Sequence, residues 1–112
     1  MPQLLSRRDA LAALVAIATA RVAHAHGPQQ VTIAKLVYAP AAITMHVGDT
    51  IEWLNNDPIA HTATVKANAP GGPWEVMLPP GKSATLQMMT AGTIDYYCRL
   101  HPNMKARLIV LS

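Results

Sequence analysis

The chain has 112 residues, nine Lys and Arg against six Asp and Glu, a formal net charge of +3 and a single cysteine. That length holds one domain at most, and its longest apolar run is about half of the ~20 residues that a membrane span needs. The positive charge is no nucleic-acid footprint, because Arg7, Arg8 and Arg21 supply three of the nine basic residues and no other clusters with aromatic side chains.

The N-terminal segment reads as an export signal. Ser6-Arg7-Arg8 places a twin arginine before the alanine-rich run Ala10–Ala20, and small-x-small cleavage sites follow Ala20 and Ala25. The twin arginine points to the pathway that exports folded proteins, although Ala10 stands where a bulky apolar residue is usual. The expected division is a cleaved signal peptide over residues 1–25 and one domain over residues 26–112. Its destination is the periplasm or the cell exterior, with no membrane span after cleavage.

The rest reads as all-β. "QVTIAKLVY" brings Val31, Ile33, Leu36 and Tyr38 to strand phase, and "AAITMHV" alternates Ile43, Met45 and Val47 before the turn Gly48-Asp49. "TIEWLNN" points Ile51 and Trp53 inward until Asn56-Asp57-Pro58 breaks it. "AHTATVKA", the loop "NAPGGP", "WEVML", "SATLQMM", "GTIDYYC" and "KARLIVLS" complete the set. Short strands with turn signals about every 8 to 12 residues indicate a β-sandwich of seven to eight strands. Parallel pairing of the first and last strands is compatible with this pattern, but the sequence alone does not set strand order. Trp53, Tyr96, Leu86 and Met88 are expected in the core, and Met77 and Met89 as apolar filling rather than a methionine-rich copper entry path. Trp74 covers either the site or an end of the sandwich.

The chemistry collects in "YYCRLHPNM", where Cys98, His101 and Met104 follow one another at three-residue steps. A lone thiol is a liability in an oxidising compartment unless it is buried or holds a metal. No C-x-x-C-H occurs, so covalent haem is excluded. Thiolate, imidazole and thioether together suit copper, whereas zinc sites rarely use methionine. A blue-copper set needs a second histidine. His24 falls in the signal, and His46 lies out of phase with its apolar neighbours and reads as a surface residue. His26 would be the first mature residue after cleavage at Ala25, where amine and ring can chelate copper. His61 remains, opening a strand directly after the break "NNDP".

With these residues in place, Val31–Val110 resembles a small cupredoxin of the amicyanin-like, plastocyanin/azurin group. The resemblance rests on "GDTIEWLNNDPIAHTATV", "KANAPGGPWEVM" and "LPPGKSATLQMMTAGTIDYYCRLHPNMKARLIV". It implies a Greek-key sandwich holding one copper ion that cycles between Cu(I) and Cu(II). His61, Cys98 and His101 would be the equatorial ligands and Met104 the weak axial one. Many members carry asparagine after the first histidine, where this chain has Thr62. The implied activity is single-electron carriage between transient redox partners by a monomer, not enzymatic turnover. Electrons would cross at His101, within an apolar rim of Pro58, Ile59, Pro79, Leu100 and Pro102. The competing reading is a copper chaperone or resistance protein that hands on the metal itself. Dense exposed Met/His tracts would favour it, and the sequence has none.

Overall fold

The structure is a computed structural model that describes residues 27–112. The signal segment, both cleavage sites, His24 and His26 lie outside the described residues.

Nine strands are present: β1 (Gln29–Ala34), β2 (Val37–Ala39), β3 (Ala42–His46), β4 (Thr50–Asn55), β5 (His61–Val65), β6 (Trp74–Leu78), β7 (Ser83–Gln87), β8 (Gly92–Tyr97) and β9 (Lys105–Leu111). They form a four-stranded sheet in the order β2-β1-β4-β7 and a five-stranded sheet in the order β3-β9-β8-β5-β6. No helix occurs among the described residues, so none there is long and apolar enough to cross a membrane.

The extra strand comes from "QVTIAKLVY", which is a hairpin rather than one strand. Ala34 pairs with Val37, leaving Lys35-Leu36 as a two-residue turn with φ of 53° and 63°. Val31, Ile33 and Tyr38 are buried, but Leu36 is 46% exposed. The three-residue step from Ile33 to Leu36 breaks strand alternation and is the trace the turn leaves in the sequence.

The first and last strands do not pair; they belong to different sheets. The parallel pairs are instead β1 with β4 and β3 with β9. Alternation along β1, β4, β8 and β9 turns Val31, Ile33, Ile51, Trp53, Ile94, Tyr96, Leu108 and Val110 into the space between the sheets. Each aliphatic side chain among them stabilises the fold by about 1.5–3 kcal/mol relative to exposure. Trp53 is the hub of the aromatic core, 5.8 Å from the Tyr96 ring and 5.9 Å from Trp74.

Met88 is buried with Trp53 and Tyr96, while Leu86 packs against this core partly exposed. Met77 and Met89 fill nothing, being 49% and 64% exposed. Strand phase explains Met77, since its neighbour Leu78 takes the inward position on β6. Trp74 lies opposite Val65, at the far end of β5 from His61, so it closes the end of the sandwich away from the site.

The other end gathers the chemistry. β1 runs parallel to β4 with Ile33 beside Asn55, so both strands finish there. β5 begins there with His61 facing Leu78, and β8 ends there at Tyr97 opposite Lys105.

Candidate metal centre

The spacing of Cys98, His101 and Met104 has a backbone cause. The His101 amide donates to the Cys98 carbonyl at 3.2 Å, and the Met104 amide to the His101 carbonyl at 2.9 Å. The Cys98 amide closes the loop onto the Met104 carbonyl at 3.1 Å. Two successive turns thus put every third residue on the same side of a compact loop. Pro102, which has no amide to donate, sits within the second turn, where none is needed.

This loop presents its donors to β5. The Cys98 sulfur is 3.7 Å from Nδ1 of His61 and 3.7 Å from Nδ1 of His101. All three donor atoms lie within 4.8 Å of one another. Cys98 and His61 are fully buried, Met104 is buried at 5% exposure, and His101 is half-buried. The two imidazoles meet edge to face, with ring centroids 5.0 Å apart. Met104 is fixed in the same loop by its backbone.

Thr62 ties the two ligand-bearing segments together. Its amide donates to the Cys98 sulfur at 3.4 Å, and its hydroxyl accepts the Arg99 amide at 2.8 Å. The Thr62 and Thr64 hydroxyls are 2.8 Å apart, and the Thr64 hydroxyl donates to Glu75 at 2.8 Å. A hydroxyl has one proton, so Thr64 must accept from Thr62. Polarity therefore runs in one direction, from the Arg99 amide through both threonines to the Glu75 carboxylate. Glu75 also takes two bonds from the Arg99 guanidinium, at 2.8 and 2.9 Å, and is pushed down to about 2 by those bonds first and the Thr64 hydroxyl second. Tyr38 donates its phenol to the Thr62 carbonyl, and burial raises its pKa well above the ordinary tyrosine value.

Two further residues hold His61, and sequence reasoning saw in them only a strand break. Asn55 is fully buried; its amide group donates to the carbonyls of Ile59 and Leu78 at 2.9 and 2.8 Å. Its side-chain oxygen accepts the Asp57 amide at 2.9 Å. The Asp57 carboxylate reaches Nε2 of His61 at 2.8 Å. The Leu36 amide, the His61 ring and the Lys35 amide hold this carboxyl below its ordinary pKa, against the opposing effect of burial. The signal was a carboxylate four residues before the histidine, at a spacing that carries no motif in a loop.

The donor set fits a soft metal ion. Metal–nitrogen and metal–sulfur bonds of about 2.0 and 2.3 Å, opened to about 120°, span close to the 3.7 Å seen for both nitrogen–sulfur edges. Two imidazoles and one thiol, with a methionine in the same loop, are donor types that suit copper better than zinc.

Comparison with known proteins agrees with this geometry. The Cupredoxin-like domain family matches residues 9–110. Amicyanin of Paracoccus denitrificans is 33% identical over 91 residues, covering 77% of this chain and 67% of that protein. Amicyanin-alpha of Methylorubrum extorquens is 31% identical over 106 residues, covering 91% and 88%. Plastocyanin of Scenedesmus fuscus is 34% identical over 74 residues, covering 59% and 76%. Among solved structures, the Cu(I) form of an amicyanin mutant superposes with a TM-score of 0.69 at 31% identity, covering 77% of this chain and 84% of that one. The oxidized state of another amicyanin mutant gives 0.69 at 30% identity, with coverages of 79% and 87%.

Proposed function

The chain belongs to the cupredoxin-like family, and from that membership we propose that it is a blue-copper protein passing single electrons between partner proteins. The observation that carries this reading is the equal 3.7 Å approach of two imidazole nitrogens to one buried thiol sulfur. His61, Cys98, His101 and Met104 are the residues that would hold the copper ion, His61 and Cys98 from buried positions and His101 from the edge of the site. Copper held there supplies a one-electron Cu(II)/Cu(I) couple.

The protein's part is to keep those donors still. β5 fixes His61 and Thr62, and the two turns of the 98–104 loop fix the rest. Little then has to move when charge changes, so the barrier to electron transfer is low. Burial of Cys98 keeps water from the sulfur, and the Thr62 amide draws electron density from it, both of which tune the potential. His101 is the member that reaches the surface. The exposed residues Pro58, Ile59, Pro79, Leu100 and Pro102 come from the loops at this pole and provide the apolar rim. A small apolar patch suits brief docking with transient redox partners. If Met104 joined the other three donors, no position would remain open for a substrate, which supports a carrier rather than an enzyme.

The same proposal takes residues 1–25 as a cleaved twin-arginine signal and residues 26–112 as a monomeric domain working in the periplasm. The twin arginine ahead of an apolar run supports it.

Adding Cu(II) to the purified protein tests the function. An intense thiolate-to-copper band with a reversible one-electron wave is the expected result, and Cys98→Ser should abolish the band while preserving the β-sheet circular dichroism. A colourless protein that binds only Cu(I) and yields it to an acceptor would overturn electron carriage and make the protein a metal carrier.

A further inference from the structure

Asp57 accepts more hydrogen bonds than a loop carboxylate needs for its own solvation. It lies 9% exposed and takes the Lys35 amide at 2.6 Å, the Leu36 amide at 3.0 Å and Nε2 of His61 at 2.8 Å. Both amides come from the β1–β2 turn, whose φ angles of 53° and 63° belong to the left-handed region. Glycine and asparagine favour that region; lysine and leucine avoid it. A turn kept in that form by unsuitable residues is held by its surroundings, and here both amides point at one carboxylate.

That arrangement dictates the protonation of His61. An ionised carboxylate only accepts, so the ring nitrogen beside it must carry the hydrogen. In the neutral imidazole the lone pair then falls on Nδ1, the nitrogen that faces the Cys98 sulfur at 3.7 Å. We propose that Asp57, braced by the Lys35-Leu36 turn, is the positioning residue that sets the tautomer and rotation of His61 before any metal arrives. Its negative charge, one imidazole away from the ion, also favours Cu(II) over Cu(I). This rests on His61 being a copper ligand, and the first measurement below does not depend on that ligation.

In the metal-free protein, imidazole ¹⁵N shifts should show His61 with hydrogen on Nε2 and Nδ1 bare. A ring protonated on Nδ1 instead would overturn the proposal, whether or not the chain binds copper. The second measurement uses Asp57→Asn, whose single acceptor oxygen cannot serve three donors. Cu(II) affinity should fall about 10- to 100-fold, with Cu(I) affinity less affected. Each tenfold difference between the two raises the one-electron potential by about 59 mV. A folded Asp57→Asn protein with unchanged Cu(II) affinity and potential would defeat the idea. The third uses Leu36→Gly, which keeps the amide and relaxes its φ, and should leave both quantities at their wild-type values. A shift equal to that of Asp57→Asn would assign the effect to hairpin packing and overturn the positioning role.

Discussion

Thr62 shows how much a single small side chain does at this site. Its hydroxyl is the acceptor for the Arg99 amide and the donor to Thr64, while its backbone serves the Cys98 sulfur separately. Thr62→Ala removes the first two and leaves the third. The Arg99 amide then loses its partner in a partly buried setting, at a cost of roughly 1–3 kcal/mol. The expected outcome is an earlier denaturant midpoint with the thiolate-to-copper band nearly in place. Equal midpoints for variant and wild type would show that the hydroxyl bridge stabilises nothing. Cys98, His101 and Met104 could be singled out from sequence because residue type and spacing both mark them. His61 could be reached by asking which histidine completes the set. Asp57 and Asn55 could not, because Asn-Asp-Pro is also what any surface turn contains. Their role appears only when the β1–β2 turn and β6, remote in sequence, are brought against them.

At the level of elements, the clasp between β6 and the end of β8 carries a pH dependence. The Glu75 carboxyl is pushed from 4.5 down to about 2 by Arg99 and Thr64. The unfolded chain therefore takes up a proton before the folded one does. Stability from this group is complete above pH 4.5 and is lost as the pH falls towards about 2. Asp95, lowered by its Arg107 pair, loses its contribution in the same direction. Acid titration of unfolding in the metal-free protein should show this loss, and Glu75→Gln should flatten it over that window. A variant profile parallel to wild type would mean the clasp is not felt. The strands themselves were legible because alternation is a local property, and eight of the runs correspond to observed strands or to the first hairpin. The turn at Lys35-Leu36 was hidden because neither residue is one that a tight hairpin selects. Met77 and Met89 were misplaced for a related reason: apolar character does not state which face of a strand is covered.

Across the whole molecule, strand order was the part of the fold that local pattern could not supply. Two parallel pairs, β1 with β4 and β3 with β9, join segments separated by long stretches of chain, and sequence alternation is identical for either partner. The β1–β4 pairing brings the ends of both strands to one pole, and β8, paired antiparallel with β9, ends at the same pole. The braced turn has a consequence for how the chain reaches this state. Hairpins with two-residue loops ordinarily close by themselves within microseconds. This one has an unfavourable turn, and the carboxylate that holds it lies 22 residues ahead of Lys35. Its closure waits on a long-range contact, so β2 should dock late, together with the loop that carries Asp57 and leads into His61. Pulsed hydrogen exchange during refolding should find the amides of residues 35–37 protected after those of β8 and β9, and early protection would refute this order. The metal pocket is then completed among the last events of folding, and an early collapsed chain would expose its thiol without yet having a place to hold copper.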